Sequence, residues 1–264
     1  LMEGTIRNEL NEGKWTYWYE VGKKQTEGYF NEDKMDSLWT YWYDSGVKWK
    51  EGMYKNNFRE GKWTVWYNTS KKFDEGEYKN GKQEGKWISY YENGQVKDNG
   101  SFKNGIMHGR WEGYFQNGNK NYEGEYKDSV KTGLWITYFE NTGKFFQKGN
   151  YKNGKKEGAW EFWFGTGIKE SEGKFTNDER EGKWIYYFET GAVSDVMSFA
   201  KGKLAGKCTG FYKDGKTKSV TGYKLGRTTK KSAYISIKHG DWIIYDSKGN
   251  VVKKEKYKNG KKIF

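Results

Sequence analysis

Aromatic residues and glycines recur along this chain every 24 residues, and the polar positions keep the same register. A tryptophan marks the period at Trp15, Trp39, Trp63, Trp87, Trp111, Trp135, Trp160 and Trp184, with one spacing of 25. We call these residues the anchor tryptophans; the next step lands on Cys208, and a last tryptophan follows at Trp242. Each period holds two ring-rich runs of alternating apolar and polar residues, a pattern that predicts β-strands. No window shows a capped helical period.

Asn-Gly pairs and similar turn residues separate these runs. The pairs are Asn80-Gly81, Asn93-Gly94, Asn104-Gly105, Asn117-Gly118, Asn153-Gly154 and Asn259-Gly260. Between strands, Asn-Gly indicates a hairpin with a type I′ turn, which requires positive φ at both residues. The sequence therefore predicts an all-β fold: an elongated, single-layer antiparallel β-meander built from tandem 24-residue hairpin repeats, with about twenty strands.

A two-residue turn also predicts which residues lie opposite each other. Trp87 should face Gly100, and Gly85, two residues before the anchor, should face Phe102. Alternation within strands places all four on one face. We therefore expect each indole to cover the bare backbone of the glycine it faces, with Trp87 over Gly100 and the second glycine also beneath a ring.

The other face should carry charges and a second column of rings. Acidic residues often stand three before the anchor and basic residues one before it, whereas a ring stands three after it. Nothing in the sequence supplies a layer to cover those rings, and exposed rings often mark interfaces. Lysines also cluster in the Tyr-Lys-Asn-Gly-Lys turns along one edge. The candidate partner-binding residues are Trp18, Trp42, Trp66, Tyr90, Trp163, Lys14, Lys62, Lys79, Lys82 and Lys103.

Composition narrows the function classes. With 14 Trp, 22 Tyr and 15 Phe, the apolar surface is carried on rings, and the net charge of +13 favours acidic partners. A single cysteine excludes disulfide and multi-Cys zinc sites, and we expect Cys208 to be a buried, inert thiol beside a packing gap. His108 and His239 lie five repeats apart, too far to share a metal. The repeated glutamates indicate a solvated ladder along a flat face rather than a catalytic pair in a cleft. We therefore expect no enzyme activity, no metal and no cofactor.

The runs Glu77-Tyr78-Lys79-Asn80-Gly81-Lys82-Gln83-Glu84-Gly85-Lys86-Trp87 and Tyr90-Tyr91-Glu92-Asn93-Gly94 closely resemble the MORN repeat variant of bacterial proteins, in a form labelled antitoxin-like. The resemblance implies a β-hairpin array that contacts proteins or membrane surfaces. We divide the chain into a regular array over 1–227, an insertion over 228–237 that forms an extra strand, a bulge or a binding loop, and a divergent capping repeat over 238–264.

These observations favour a non-enzymatic scaffold that binds a protein partner with an acidic surface, and we expect a monomer. An immunity protein that neutralises a toxin by direct binding is one alternative, and a binder of cell-envelope sugars or of a membrane surface is another. Nucleic acid is disfavoured because most rings are committed to stacking on glycine. The bacterial envelope or a secreted location is expected, or the cytoplasm if the chain is antitoxin-like.

Overall fold

A computed structural model describes residues 1–228 and 233–264, and every regular element in these ranges is a β-strand. The chain forms two compact units, Leu1–Val130 and Lys131–Phe264. In the first unit lie β1 (Met2–Arg7), β2 (Leu10–Trp18), β3 (Lys24–Asn31), β4 (Lys34–Trp42), β5 (Lys48–Lys55), β6 (Phe58–Trp66), β7 (Lys72–Lys79), β8 (Lys82–Tyr90), β9 (Val96–Lys103), β10 (Ile106–Tyr114) and β11 (Lys120–Lys127). In the second lie β12 (Val130–Tyr138), β13 (Phe145–Lys152), β14 (Lys155–Trp163), β15 (Lys169–Thr176), β16 (Glu179–Tyr187), β17 (Val193–Ala200), β18 (Lys203–Leu204), β19 (Gly206–Phe211), β20 (Thr217–Arg227), β21 (Tyr234–Lys238), β22 (Gly240–Tyr245), β23 (Val251–Lys258) and β24 (Lys261–Lys262).

Most consecutive strands pair antiparallel, which confirms the all-β, single-layer hairpin meander. In the second unit, β17 pairs with both β18 and β19, and β20 pairs with both β21 and β22. Asn80 and Gly81 have φ of 49° and 76°, as a type I′ turn requires. The type I′ prediction is wrong for Asn117-Gly118, where only Gly118 has positive φ, and likewise for Asn93-Gly94. There only Gly94 has positive φ, 89°, and its N–H donates to the Tyr91 carbonyl at 2.8 Å. A type I turn followed by a glycine bulge fits this geometry, so the two edges of the sheet use different turns.

The predicted cross-strand register is confirmed, but the ring covers a different glycine. Trp87 faces Gly100 as expected. Its indole nevertheless lies over Gly76 on the preceding strand, where an added Cβ would be 2.2 Å from the ring. Gly100 is covered instead by Trp111, at 2.1 Å. The reason is that each strand has two neighbours, and the indole leans toward the one where its Nε1–H can donate to a carbonyl, that of Glu77 at 3.1 Å.

The core of the molecule is this single row of rings. The eight anchor tryptophans are only 0% to 7% exposed, although the sheet has one layer. Trp63 shows why: Tyr54 and Tyr78 flank it edge-on, with ring centroids 5.1 and 6.1 Å away and interplanar angles of 88° and 78°. Such aromatic pairs contribute about 0.5–1.5 kcal/mol each beyond area burial. Glycine below and rings on both sides therefore bury each indole without a second layer; we call this side of the sheet the tryptophan face.

The glycine two residues before the anchor has another cause than the one predicted. Gly85 does face Phe102, but an added Cβ there would meet nothing within 4 Å, so no ring requires its absence. Gly85 instead has φ of 66° at a bulge, where the β7–β8 register shifts between Gly76 and Glu77. Ser37, the sequence exception at this position, adopts the same conformation with φ of 58°. Backbone conformation, not packing, selects the residue here.

Tyrosine hydroxyls join successive repeats on the same face. Tyr67 donates to the carbonyl of Tyr90 at 2.9 Å, and Tyr43 donates to the carbonyl of Trp66 at 2.8 Å. Each bond spans 23 residues, so the ring four after an anchor holds the end of the next anchor strand. The array is therefore linked by contacts between nearest-neighbour repeats, as in other solenoids.

The irregular positions are in the second unit. Cys208 is buried, as expected, and burial raises the pKa of its thiol. Met197 stands where a glycine is usual, and the register that pairs Val196 with Thr209 sets it opposite Cys208. In the predicted insertion, Tyr234–Lys238 forms a strand that lengthens the hairpin by pairing with the end of β20. Residues 229–232 of that insertion lie outside the described residues.

The two glycine roles predict losses of stability of different size for the same substitution. Gly76→Asn should clash with the Trp87 indole and, like Trp87→Ala, lower the free energy of unfolding by about 3–5 kcal/mol. Gly85→Asn, the matched control, should lower it by about 1 kcal/mol or less, because asparagine tolerates positive φ and the site has room. Urea unfolding followed by tryptophan fluorescence measures all three. Equal effects of the two asparagine variants would contradict the assignment.

Candidate binding surfaces

The lysine-rich edge is built from the type I′ turns. Lys79 and Lys82 face each other across the turn at Asn80, and both are exposed, as is Lys103. Where the residue three before an anchor is a glutamate, its carboxylate points back at this edge. Glu60 accepts the backbone N–H of Asn80 at 2.9 Å, and Glu84 accepts that of Asn104 in the same way. The carboxylates thus hold the turn backbone of the next repeat while the lysines project into solvent, a capping role that the sequence analysis missed.

The opposite face of the sheet, the charged face, carries a central column of glutamates that bind the predicted lysines. Lys62 lies 2.9 Å from Glu75, which also contacts Lys72 at 2.9 Å and accepts the Tyr90 hydroxyl at 2.8 Å. Burial raises the pKa of Glu75, but these hydrogen bonds outweigh it and lower the pKa to about 2. Lys14 makes the equivalent contact with Glu27 at 3.2 Å. Two of the predicted partner-binding lysines, Lys14 and Lys62, are therefore already engaged within the sheet.

The predicted ring column on the charged face is half-buried. Trp18, Trp42, Trp66, Tyr90 and Trp163 are all of intermediate exposure. Lys24 places its amine 5.7 Å from the Trp42 ring, and Lys48 lies 5.2 Å from Trp66. Cation–π contacts of this kind are worth roughly 0.5–1 kcal/mol at exposed sites. The structure brings the first four rings into one column, each beside a lysine–glutamate pair.

Trp163 lies in a separate cluster in the second unit. The Phe145 ring lies between Trp163 and Tyr138 and is tilted against both, with ring centroids 5.4 and 5.5 Å away. A hollow of about 540 Å³ opens beside these rings, with Gly143 and Gly167 on its rim. Phe145 is 43% exposed, whereas Trp18, Trp42 and Trp66 are of intermediate exposure.

Sequence reasoning missed another row of rings, ten residues after the anchors. Trp49 and Phe73 are each 40% exposed and pack against Tyr43 and Tyr67, with centroids 6.0 and 5.1 Å apart. In the second unit Phe146, eleven residues after Trp135 in the repeat that is one residue longer, packs on Phe139 in the same way. No period reveals this row, because the position holds Gln25 and Lys97 in other repeats; only the turn geometry that brings it beside the tyrosines does.

Cations cover the anchor rings on the tryptophan face. The Arg59 guanidinium lies 4.7 Å from the Trp63 ring and donates to the Tyr78 hydroxyl at 2.9 Å. Lys156 and Arg180 occupy the same place over Trp160 and Trp184, at 4.2 and 4.9 Å. The signal was present in the sequence as a basic residue four before the anchor, but the bulge that brings it onto this face was not foreseen.

The tryptophan face also holds a polar notch where the ring two after the anchor is replaced by smaller residues. Asp98 accepts the Tyr122 hydroxyl at 2.7 Å and the Ser89 hydroxyl at 3.1 Å. Asp74 lies two strands away from Asp98 in the same row. Burial raises the pKa of Asp74 to about 6, against the opposing effect of Arg59.

The described residues contain no group of three or more His, Cys, Asp or Glu side chains placed to bind a metal. His239 occupies the capping position of Glu60 and Glu84, with Nδ1 3.5 Å from the backbone nitrogen of Asn259. In the described ranges no helix is long and apolar enough to cross a membrane.

Four segments, 35–56, 83–104, 107–128 and 238–259, match a family described as the MORN repeat variant. Each segment begins four residues before a tryptophan of the repeat, namely Trp39, Trp87, Trp111 and Trp242. The last match includes the repeat that the sequence indicated as divergent. No curated protein matches the chain.

Two crystal structures align with most of the chain at low similarity. The complex TcdB2-TccC3-Cdc42 is 11% identical, with 94% of this chain and 17% of that chain covered and a TM-score of 0.21. TcdB2-TccC3 without its hypervariable C-terminal region is 11% identical, with 97% and 18% covered and a TM-score of 0.20. This chain thus spans under a fifth of the length of either.

The Asp74 carboxylate predicts a pH-dependent stability. Because its folded pKa is raised, the ionised form destabilises the fold above about pH 6, and protonation removes that loss as the pH falls toward about 4. Asp74→Asn should therefore raise the free energy of unfolding at neutral pH by on the order of 1 kcal/mol, discounted for solvent screening, and have little effect below about pH 4.

Urea unfolding at the two pH values measures this difference. Asp98→Asn is the control, and it should instead lower stability at neutral pH by about 1 kcal/mol, because Tyr122 and Ser89 lose a charged acceptor. An Asp74→Asn variant that is destabilised at neutral pH would contradict the prediction.

Proposed function

We propose that this chain is a non-enzymatic scaffold that binds another protein. Four of its segments match the MORN repeat variant. The chain binds through its lysine-rich edge and the adjoining charged face. The observation that supports this most is that the charges of the charged face are paired with each other, whereas the lysines of the edge are not paired in the described ranges. On the charged face Glu27 and Glu75 are neutralised by lysines, whereas Lys79, Lys82 and Lys103 are exposed and form no ion pair within the described part of the chain. A row of unneutralised cations favours a partner with an acidic surface.

The rings of the charged face add apolar area beside this edge. Trp42 and Trp66 keep part of their surface exposed next to lysines whose charge is already balanced by Glu27 and Glu51. Tryptophan and tyrosine dominate the binding energy of interfaces when a partner completes their burial. A flat surface with a basic border and half-buried rings fits a protein partner better than a small molecule, which needs a concave site.

Lysine substitutions at the edge should weaken partner capture. Lys79→Gln, Lys82→Gln and Lys103→Gln together should reduce capture from source-cell lysate about tenfold, since three contacts of roughly 0.5 kcal/mol each amount to one decade. The matched control is Lys71→Gln, Lys97→Gln and Lys213→Gln, which removes the same charge elsewhere. Quantitative mass spectrometry at low and high salt compares them. Equal loss in both triple variants would show nonspecific attraction rather than a docking edge.

Ring substitutions test the face separately. Trp18→Thr, Trp42→Thr and Trp66→Thr together should reduce capture further and leave the strand signal in circular dichroism intact, because threonine is a good strand former. The buried anchors stay unchanged in this variant. Unfolding of the variant, or full capture by it, would count against a binding role for these rings.

The immunity-protein alternative differs in the identity of the partner, and a toxin gene adjacent to this gene, with its product captured, would support it. The membrane alternative predicts that the chain sediments with anionic vesicles at low salt and is released at high salt, because lysines near an anionic surface contribute about 1 kcal/mol each. Binding of soluble sugars in the Phe145 cluster, detected by ring fluorescence, would favour the envelope-sugar alternative.

A further inference from the structure

A hollow of about 430 Å³ opens on the charged face of the second unit, around Ala159. The residue before the anchor is Lys14, Lys62 or Arg110 in other repeats, and its long side chain reaches across to the glutamate column. Ala159 cannot do so, and the space it leaves is lined by Leu134, Ile185 and the backbone of Trp160 and its neighbours. Leu134 stands at the same position, before Trp135, so two departures from the repeat, Leu134 and Ala159, line the hollow.

The charges around this hollow are not balanced as they are elsewhere. Glu161 and Glu172 are opposite one another, and Lys169 binds both, at 2.7 and 2.8 Å. Glu172 also accepts the Tyr187 hydroxyl at 2.6 Å. Lys169 and Tyr187 lower the pKa of Glu172, so this carboxylate is ionised and already occupied.

Three further lysines line the hollow without an ion-pair partner among the described residues: Lys148, Lys174 and Lys183. Lys148 faces Glu161 in register, yet Lys169 holds that carboxylate. Lys174 faces Glu181, whose carboxylate accepts the backbone N–H of Lys201 at 3.1 Å.

The balance around the hollow is therefore positive. Three lysines and two glutamates line it, an excess of one positive charge, and Lys169 contacts both glutamates from outside the lining.

We propose that this hollow binds an acidic side chain of the protein partner, a glutamate or aspartate carried beside an apolar residue. The inference rests on the proposed function and specifies where on the charged face a partner inserts. The carboxylate lies among Lys148, Lys174 and Lys183, and the apolar neighbour packs on Ile185 and on Leu134, which is 46% exposed.

Two features favour a peptide carboxylate over phosphate. The lining holds no arginine, the residue whose planar fork matches phosphate in a bidentate way, and its cations are lysines that act as point charges. An apolar rim of leucine and isoleucine stabilises a carbon chain next to the charge and adds nothing for an inorganic anion. The volume also lies at the lower end of the range of ligand sites, enough for one side chain and its neighbour.

The probe is a short blocked peptide of alternating leucine and glutamate, titrated calorimetrically into the full chain. A leucine–glutamine peptide and inorganic phosphate are the comparison ligands. We expect the glutamate peptide to bind, the glutamine peptide to bind at least about tenfold more weakly, and phosphate to bind no better than the glutamine peptide. Phosphate binding that depends on the same residues and equals that of the peptide would overturn the assignment.

Ala159→Lys is the decisive variant, because it places in the hollow the residue type that other repeats carry there and so is compatible with the fold. It adds a positive charge and fills the space. Loss of peptide binding in Ala159→Lys supports a site in the hollow, whereas unchanged or tighter binding would show general attraction to a basic surface and overturn the proposal. Lys148→Gln should weaken binding about threefold or more, and Lys86→Gln in the first unit should leave it unchanged.

Partner capture separates the two proposals. If the edge variants lose the partner while Ala159→Lys keeps it, the hollow proposal fails and the scaffold proposal stands. If Ala159→Lys blocks the peptide but capture is insensitive to the edge lysines and to the rings, the hollow binds carboxylates and the proposed docking edge fails.

Discussion

The structure depends on one contact, an indole ring lying on the bare backbone of a glycine in the preceding strand. A Cβ at Gly76 would stand 2.2 Å from the Trp87 ring, so only glycine permits the contact. With Tyr78 edge-on at 5.2 Å and the Nε1–H bound to the Glu77 carbonyl, the indole is buried and satisfied on an open sheet. The contact joins one repeat to the strand before it, so a repeat cannot bury its own tryptophan alone. This explains why the array needs neighbours to be stable.

The same constraint accounts for the pair Met197 and Cys208, in which both the glycine and the tryptophan of this contact are replaced. Where Met197 replaces the glycine, Cys208 replaces the tryptophan that would have lain on it; Met197 packs against the cluster of Trp184 and Phe199, and Cys208 is buried. A tryptophan over a glycine is thus replaced by a smaller cysteine over a larger methionine. Exchanges that keep the total volume are the ones that cores tolerate best. Met197 thus lies opposite the position beside which the gap is predicted.

Much of this fold could be predicted because a strict period, an alternation of two and a known turn together fix a register. Trp87 opposite Gly100 follows from those three alone. They could not decide which neighbouring strand an indole leans toward, since both candidates hold a glycine. They also gave the wrong reason for Gly85. A glycine required for positive φ and a glycine required for its lack of a side chain are the same residue in the sequence. The capping role of Glu84 depends on a bulge that turns its side chain toward Asn104. The sequence pattern does not reveal that bulge.

Binding capacity in such a sheet arises where the repeat departs from itself. A regular repeat uses its charged groups internally: Lys62 neutralises Glu75, and Glu60 caps the turn at Asn80. Binding sites cannot be found by looking for positions that keep the same residue in every repeat, because those positions are the ones that hold the sheet together. A position such as Ala159 or Lys148 is informative because it breaks a pairing that its neighbours keep, and so leaves space or charge for another molecule. In a repeat protein the period identifies the scaffold, and the deviations from it identify the surface on which specificity can be built.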